Sequence, residues 1–147
     1  MESTQVKEKG NGGTPLKLQP LPNNMFDIPT DLNEFWKWWC IIIQPFVKLT
    51  PREADVIASF LKHRHELAKV VLDPAVLESQ LMGNETRDKV LEDCKITRQH
   101  FYVVMSTLRR KNIITENGIN RKLIPNIHEN EDGTFKFNIL IRFKGNE

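Results

Sequence analysis

The sequence predicts an α+β fold, mostly helical, with its helices first and its strands last. Three observations carry this. Asp31, Thr50, Asp73 and Thr97 each stand where a capping residue would open a helix. The stretch FKFNILIRF, residues 135–143, alternates apolar and polar side chains with the period of a strand. Asn117-Gly118 and Asp132-Gly133 are dipeptides that mark hairpin turns. At 147 residues, 39% of them hydrophobic, the chain suits one compact domain with a tail.

Residues 1–30 read as an extended arm. Gly10, Gly12 and Gly13 add backbone freedom, while Pro15, Pro20 and Pro22 favour extended conformations. Leu16, Leu18, Leu21, Met25, Phe26 and Ile28 give this arm apolar teeth, as docking into a groove would require. The domain is expected over residues 31–147 and opens with an aromatic helix, 31–45, which Asp31 and Glu34 cap and Pro45 ends. Phe35, Trp36, Trp38, Trp39 and Ile41 to Ile43 cover nearly every side of it. Such a helix is either central to the core or an interface anchor.

The next helix has the cleanest start in the chain: Thr50 as cap, Pro51 in the first helical position and Glu53 closing a capping box. Ala54, Ile57, Ala58 and Leu61 follow at core spacing. A short helix runs from Asp73-Pro74 to Met82, Gly83 and Asn84 stop it, and another spans Glu85 to Cys94 with Val90, Leu91 and Cys94 inward. The last helix follows Thr97, with Phe101, Val104, Met105 and Leu108 as its apolar stripe. Ile113 and Ile114 begin a short strand, Asn117-Gly118 supplies positive φ, RKLIPNI forms a second strand and FKFNILIRF a third.

The run CKITRQHFYVVMSTLRRKNII, residues 94–114, resembles the helix-turn-helix of winged helix proteins. The resemblance covers about residues 48 to 143 and implies a three-helix core with a C-terminal β-hairpin wing. Two positions depart from the usual glycines: Lys95 in the turn, acceptable there if φ stays negative, and Asn112 after the helix, which tolerates the left-handed region. LTPREADVIASFL together with LRRKNIITENGINRKLIPNI is similar to small winged-helix proteins of large tailed bacteriophages. That likeness implies a place in the virion, such as a connector or ring at the portal or tail.

A winged helix implies a recognition helix, whose N-terminal residues read base edges in the major groove. Lys95, Arg98, Gln99, Tyr102, Ser106, Arg109, Arg110 and Lys111 are then the candidate contacts to double-stranded DNA. Arg98 suits guanine and Gln99 adenine. Three features oppose this. Val103 lies in the middle of that face, and Glu129, Glu131 and Asp132 make the expected wing tip acidic. Arg109, Arg110 and Lys111 also sit where the helix dipole favours cations without any ligand.

A net charge of +2 does not decide for nucleic acid. Cys40 and Cys94 form no disulfide framework, which points to a reducing compartment. The run Phe35 to Val47 is too short for a membrane span, and MESTQVKEKG lacks a signal-peptide layout. His63 and His65 lie on different helix faces, His100 and His128 have no companion ligands, and no phosphate-binding glycine loop occurs. The expectation is therefore a non-enzymatic protein without cofactor, metal or small-molecule substrate, in the virion or host cytoplasm. Its partners are expected to be protein subunits of an oligomeric assembly, docked through Leu16, Leu18, Leu21, Met25, Phe26, Ile28, Phe35, Trp36, Trp38, Trp39 and Val103. The alternative is a DNA-binding regulator or packaging factor.

Overall fold

The computed structural model describes residues 28–145. The expected arm up to Asp27, with Leu16, Leu18, Leu21, Met25 and Phe26, lies outside the described residues. Five helices come first: α1 (Leu32–Val47), α2 (Pro51–Ala68), α3 (Pro74–Leu81), α4 (Asn84–Cys94) and α5 (Arg98–Arg110). Two antiparallel hairpins follow. One joins β1 (Ile114–Thr115) to β2 (Gly118–Ile119), and the other joins β3 (Ile127–Glu129) to β4 (Phe135–Phe137). The molecule is thus α+β and mostly helical, as the sequence predicts. No described helix is long and apolar enough to cross a membrane.

The caps form where the side chains allow them. Asp31 accepts from the Glu34 amide at 2.8 Å. Thr50 and Glu53 close a reciprocal box at 3.2 and 3.0 Å. Asp73 accepts from Ala75 N at 2.8 Å and Thr97 from His100 N at 3.1 Å. Pro45 does not end α1 as expected. The helix runs on to Val47, and Lys48 closes it with φ of 55° and a 2.7 Å bond from its amide to Gln44 O. A proline near a helix C-terminus loses one donor without breaking the remaining turn. The fourth helix also begins one residue earlier than expected, at Asn84, behind Gly83 as its cap residue.

The two positions that depart from the winged-helix glycines share one geometry. Lys95 has φ of 53°, against the expected negative value, and Asn112 has 63°. At the first, Lys95 N bonds Glu92 O and Ile96 N bonds Leu91 O, both at 3.3 Å. At the second, Asn112 N bonds Arg109 O and Ile113 N bonds Leu108 O, both at 3.0 Å. These paired bonds are the Schellman closure, which requires a left-handed residue. Ile96 and Ile113, one residue beyond each, then turn into the core. Tertiary packing imposes on Lys95 a conformation its type does not favour.

The strands are shorter than their sequence pattern. RKLIPNI is not one strand: Asn120 accepts from Lys122 N at 3.1 Å, a 3₁₀ turn covers Arg121–Leu123, and pairing begins only at Ile127, beyond Pro125. FKFNILIRF pairs over Phe135–Phe137 alone, because β3 offers just three partners, Ile127↔Phe137 to Glu129↔Phe135. In the first hairpin the positive φ falls on Gly118, at 104°, and not on Asn117.

One core joins α1, α2, α4, α5 and the first hairpin through Trp36, Cys40, Val56, Ile57, Phe60, Leu61, Val90, Leu108, Ile113 and Ile114. The β3–β4 hairpin lies on α1. Phe35 meets Phe135 and Phe137 at centroid distances of 5.3 and 5.0 Å, and Trp39 meets Phe137 at 5.6 Å. Trp39 Nε1 also donates to Leu123 O at 2.8 Å. Phe35, Trp36 and Trp39 are therefore core residues and not the free interface anchors expected. Three of the four aromatics in that run serve this chain itself.

Candidate interaction surfaces

The outward face of α5 carries Arg98, Gln99, Tyr102, Val103, Ser106, Arg109 and Arg110, all exposed, with Lys95 exposed just before it. The cations on this face are not all available. Lys111 donates to Glu53 Oε1 at 2.6 Å and to Lys48 O at 2.9 Å. Glu53 is buried, so Lys111 neutralises a carboxylate at the α1–α2 turn rather than presenting a charge outward. Burial alone would raise the Glu53 carboxyl, but the Lys111 hydrogen bond, the Thr50 amide, the Lys111 charge and the Thr50 hydroxyl outweigh it and hold it below its usual value. Arg98 lies 3.7 Å from Asp88, and Arg87 donates to the Tyr102 hydroxyl at 3.2 Å. Arg110 donates to Thr107 Oγ1 at 3.2 Å. Asp88 is an acid of α4 that a reading of residues 95–111 alone overlooks.

The acids of the second hairpin divide. Glu129 turns back to the body and meets His65 Nε2 at 2.6 Å, while that imidazole lies beside Trp36, 5.5 Å between ring centres. Asp132 closes its own turn, accepting from Thr134 N at 3.0 Å and Thr134 Oγ1 at 2.7 Å. Those bonds hold its carboxyl below the usual value, so it keeps its negative charge at neutral pH. Glu131 is exposed.

A different surface stands out on α1. Trp38, Ile41 and Phe46 are 41%, 64% and 60% exposed, with Ile42 and Pro45 between them on the same side. The spacings of three and four residues make these one continuous apolar stripe. The chain after β4 is also apolar and exposed. There Ile139 and Ile141 are 44% and 48% exposed, and Leu140 is 90% exposed. Phe143, on the same alternating face as Ile139 and Ile141, is 91% exposed, so the side that β4 buries is not kept covered to the end of the pattern. Ile28, just before α1, is also exposed.

Two further clusters pair their charges within the chain, although Glu78 Oε1 is buried without a hydrogen-bond partner among the described residues. Asp93 accepts from Ser59 at 2.8 Å and lies 3.0 Å from Lys62 and 2.9 Å from His63 Nε2. Burial would raise its carboxyl, but the bonds from Ser59, Lys62 and His63 and the Lys62 charge hold it low. Arg64 donates to Glu78 Oε2 at 2.8 Å in the groove between α3 and the β1–β2 hairpin. Burial, then Asp55, pushes the Cys40 thiol up to about 12; burial, then Asp55 and Asp93, pushes Cys94 up to about 11. Both stay protonated at neutral pH, which makes poor nucleophiles. His63 and His65 face Asp93 and Glu129 respectively, so they do not converge. No group of three or more metal-ligating side chains gathers among the described residues.

The chain matches no family model, no curated protein and no solved structure. The stripe of Trp38, Ile41 and Phe46 was only partly legible: the apolar excess of the aromatic helix signalled an interface, but which residues form it depended on the hairpin that covers Phe35 and Trp39.

Proposed function

We propose that this chain is a non-enzymatic interaction protein of winged helix-turn-helix type, a subunit that docks onto protein neighbours in a larger assembly. The observation that carries this reading is the apolar stripe of α1, in which Trp38, Ile41, Pro45 and Phe46 stay exposed around a half-buried Ile42. A contiguous apolar face of this kind on a small domain marks a contact surface. The likeness to winged-helix proteins of large tailed bacteriophages makes a connector or ring of the virion, at portal or tail, the natural place for it.

The competing reading, a binder of double-stranded DNA, is favoured by the exposed Arg98, Gln99, Arg109 and Arg110 on α5. It is weakened by Asp88 beside Arg98, by Lys111 held on Glu53 and by Val103 in the centre of the face.

The test combines two measurements. Co-expressed with the products of its neighbouring genes, the wild-type chain is expected to enter a complex, and Ile41→Glu/Phe46→Glu to be left out while keeping its melting temperature. In a duplex titration across salt, only weak binding unaffected by Arg98→Ala is expected. Tight binding that falls steeply with salt and is lost with Arg98→Ala would establish the DNA reading instead.

A further inference from the structure

The exposed side of α1 is complementary to itself. Glu34, Ile41 and Lys48 follow at a spacing of seven residues, so they stand two turns apart along one line, ~10.5 Å from one to the next. Trp38 and Pro45 lie just to one side of that line, and Lys37 and Gln44 just to the other. All seven are exposed. Trp39 and Ile43, on either side of Ile41 in sequence, are buried, so Ile41 points away from the core. The line begins with an acid, ends with a base and is apolar at its centre. Phe46 and the half-buried Ile42 lie further round the helix and flank it.

A two-fold axis across the helix at Ile41 lays this row on a second copy of itself, running the opposite way. Ile41 then meets Ile41 of the second copy. Glu34 and Lys48, equally far from the axis, meet at both ends. Trp38 of each copy falls against Pro45 of the other, because the two lie on the same side of the line at nearly equal distances from its centre. Lys37 and Gln44 meet in the same way on the other side. A parallel pair would instead set Glu34 on Glu34 and Lys48 on Lys48, which like charge opposes. The order of charges along the row therefore selects both the partner and its direction.

We infer that α1 is a homodimer contact: two copies pack their α1 helices antiparallel about a two-fold axis at Ile41, closed by a Glu34–Lys48 ion pair at each end. This rests on the reading above and names one neighbour, a second copy of the same chain. Four turns of helix make a small interface, so association is expected to be weak and to depend on concentration.

Sedimentation velocity of the full-length protein tests this by exchanging charges. The wild type is expected to pass from monomer to dimer as its concentration rises. Glu34→Lys and Lys48→Glu each bring like charges together twice in a dimer, so each is expected to raise Kd about tenfold at low salt. Mixed in equal amounts, the two variants regain an ion pair at both ends and are expected to form a heterodimer as tight as the wild-type dimer. Glu34→Lys/Lys48→Glu, which only exchanges the ends, should return to the wild-type Kd. Misfolding would not give this pattern, since recovery needs both altered copies folded.

A wild type that stays monomeric at its highest soluble concentration overturns the inference, and so does a mixture that pairs no more tightly than either variant alone. Acrylamide quenching then shows what covers the stripe. Trp36 and Trp39 are buried, so quenching reads Trp38. A shielded Trp38 in a monomer means that the chain covers its own stripe, and an open one leaves it to a different protein; both refute the homodimer. The broader reading is judged separately, and fails if Ile41→Glu/Phe46→Glu still enters its complex.

Discussion

Lys95 and Asn112 show what a single backbone angle requires. Both end helices with the same paired bonds and the same left-handed φ, yet only Asn112 is of a type that tolerates it. Lys95→Gly is therefore expected to stabilise the protein by about 1 kcal/mol, the cost of holding a side chain in that region. Asn112→Gly should gain only a few tenths. Chemical denaturation of the two variants checks this, with Lys95→Gly raising the midpoint more. The expectation of negative φ at Lys95 followed from residue preference. The closure onto Leu91 and Glu92 exists only because Ile96 must enter the core, and that is a tertiary demand.

At the scale of elements, the β3–β4 hairpin is held on the helices in two ways. Phe135 and Phe137 pack on Phe35 and Trp39, and Glu129 meets His65. Their strengths differ. Phe137→Ala is expected to cost about 2 kcal/mol, since it removes the half-buried ring that covers two buried aromatics. Glu129→Gln should cost under ~1 kcal/mol, because the pair is partly exposed to water. Hydrogen exchange read at the hairpin amides separates the two: strong deprotection with Phe137→Ala, little with Glu129→Gln. Four of the five helix starts were legible because caps and proline positions act over three or four residues, as at Thr50 and Glu53; α4, behind Gly83, has no side-chain cap. Strand ends were not. A strand lasts only as long as its partner, and β3 supplies three residues to a pattern nine residues long.

For the whole molecule, two carboxylates couple stability to pH. Glu53 and Asp93 are both held below their usual values by the bonds they accept. The unfolded chain thus takes up protons at a higher pH than the folded one. Their contribution is complete above the ordinary carboxylate range, about pH 4, and is lost as the pH falls through the folded values. Glu53→Gln and Asp93→Asn are each expected to be less stable than wild type at neutral pH. Each should also lose less on acidification, so that the stabilities converge with wild type once the pH has fallen below the folded carboxyl values. A Glu53 variant as steeply acid-sensitive as wild type would show that this linkage lies elsewhere.

The sequence by itself determined the α+β class, the order of helices then strands, the caps and the inward stripe of α5. These depend on neighbours a few residues apart, and a short window contains them. Tertiary structure decided which apolar residues are spent and which remain free. Phe35, Trp36, Trp38 and Trp39 look alike in a helix apolar on nearly every side, and only the hairpin that arrives a hundred residues later covers Phe35 and Trp39 and leaves Trp38 open. The same holds for charge: Lys111 pairs with Glu53, 58 residues away in sequence, so its charge is already partnered within the chain. Pairings over such separations are set by packing, which leaves the stripe of α1 open and pairs part of the charge around α5.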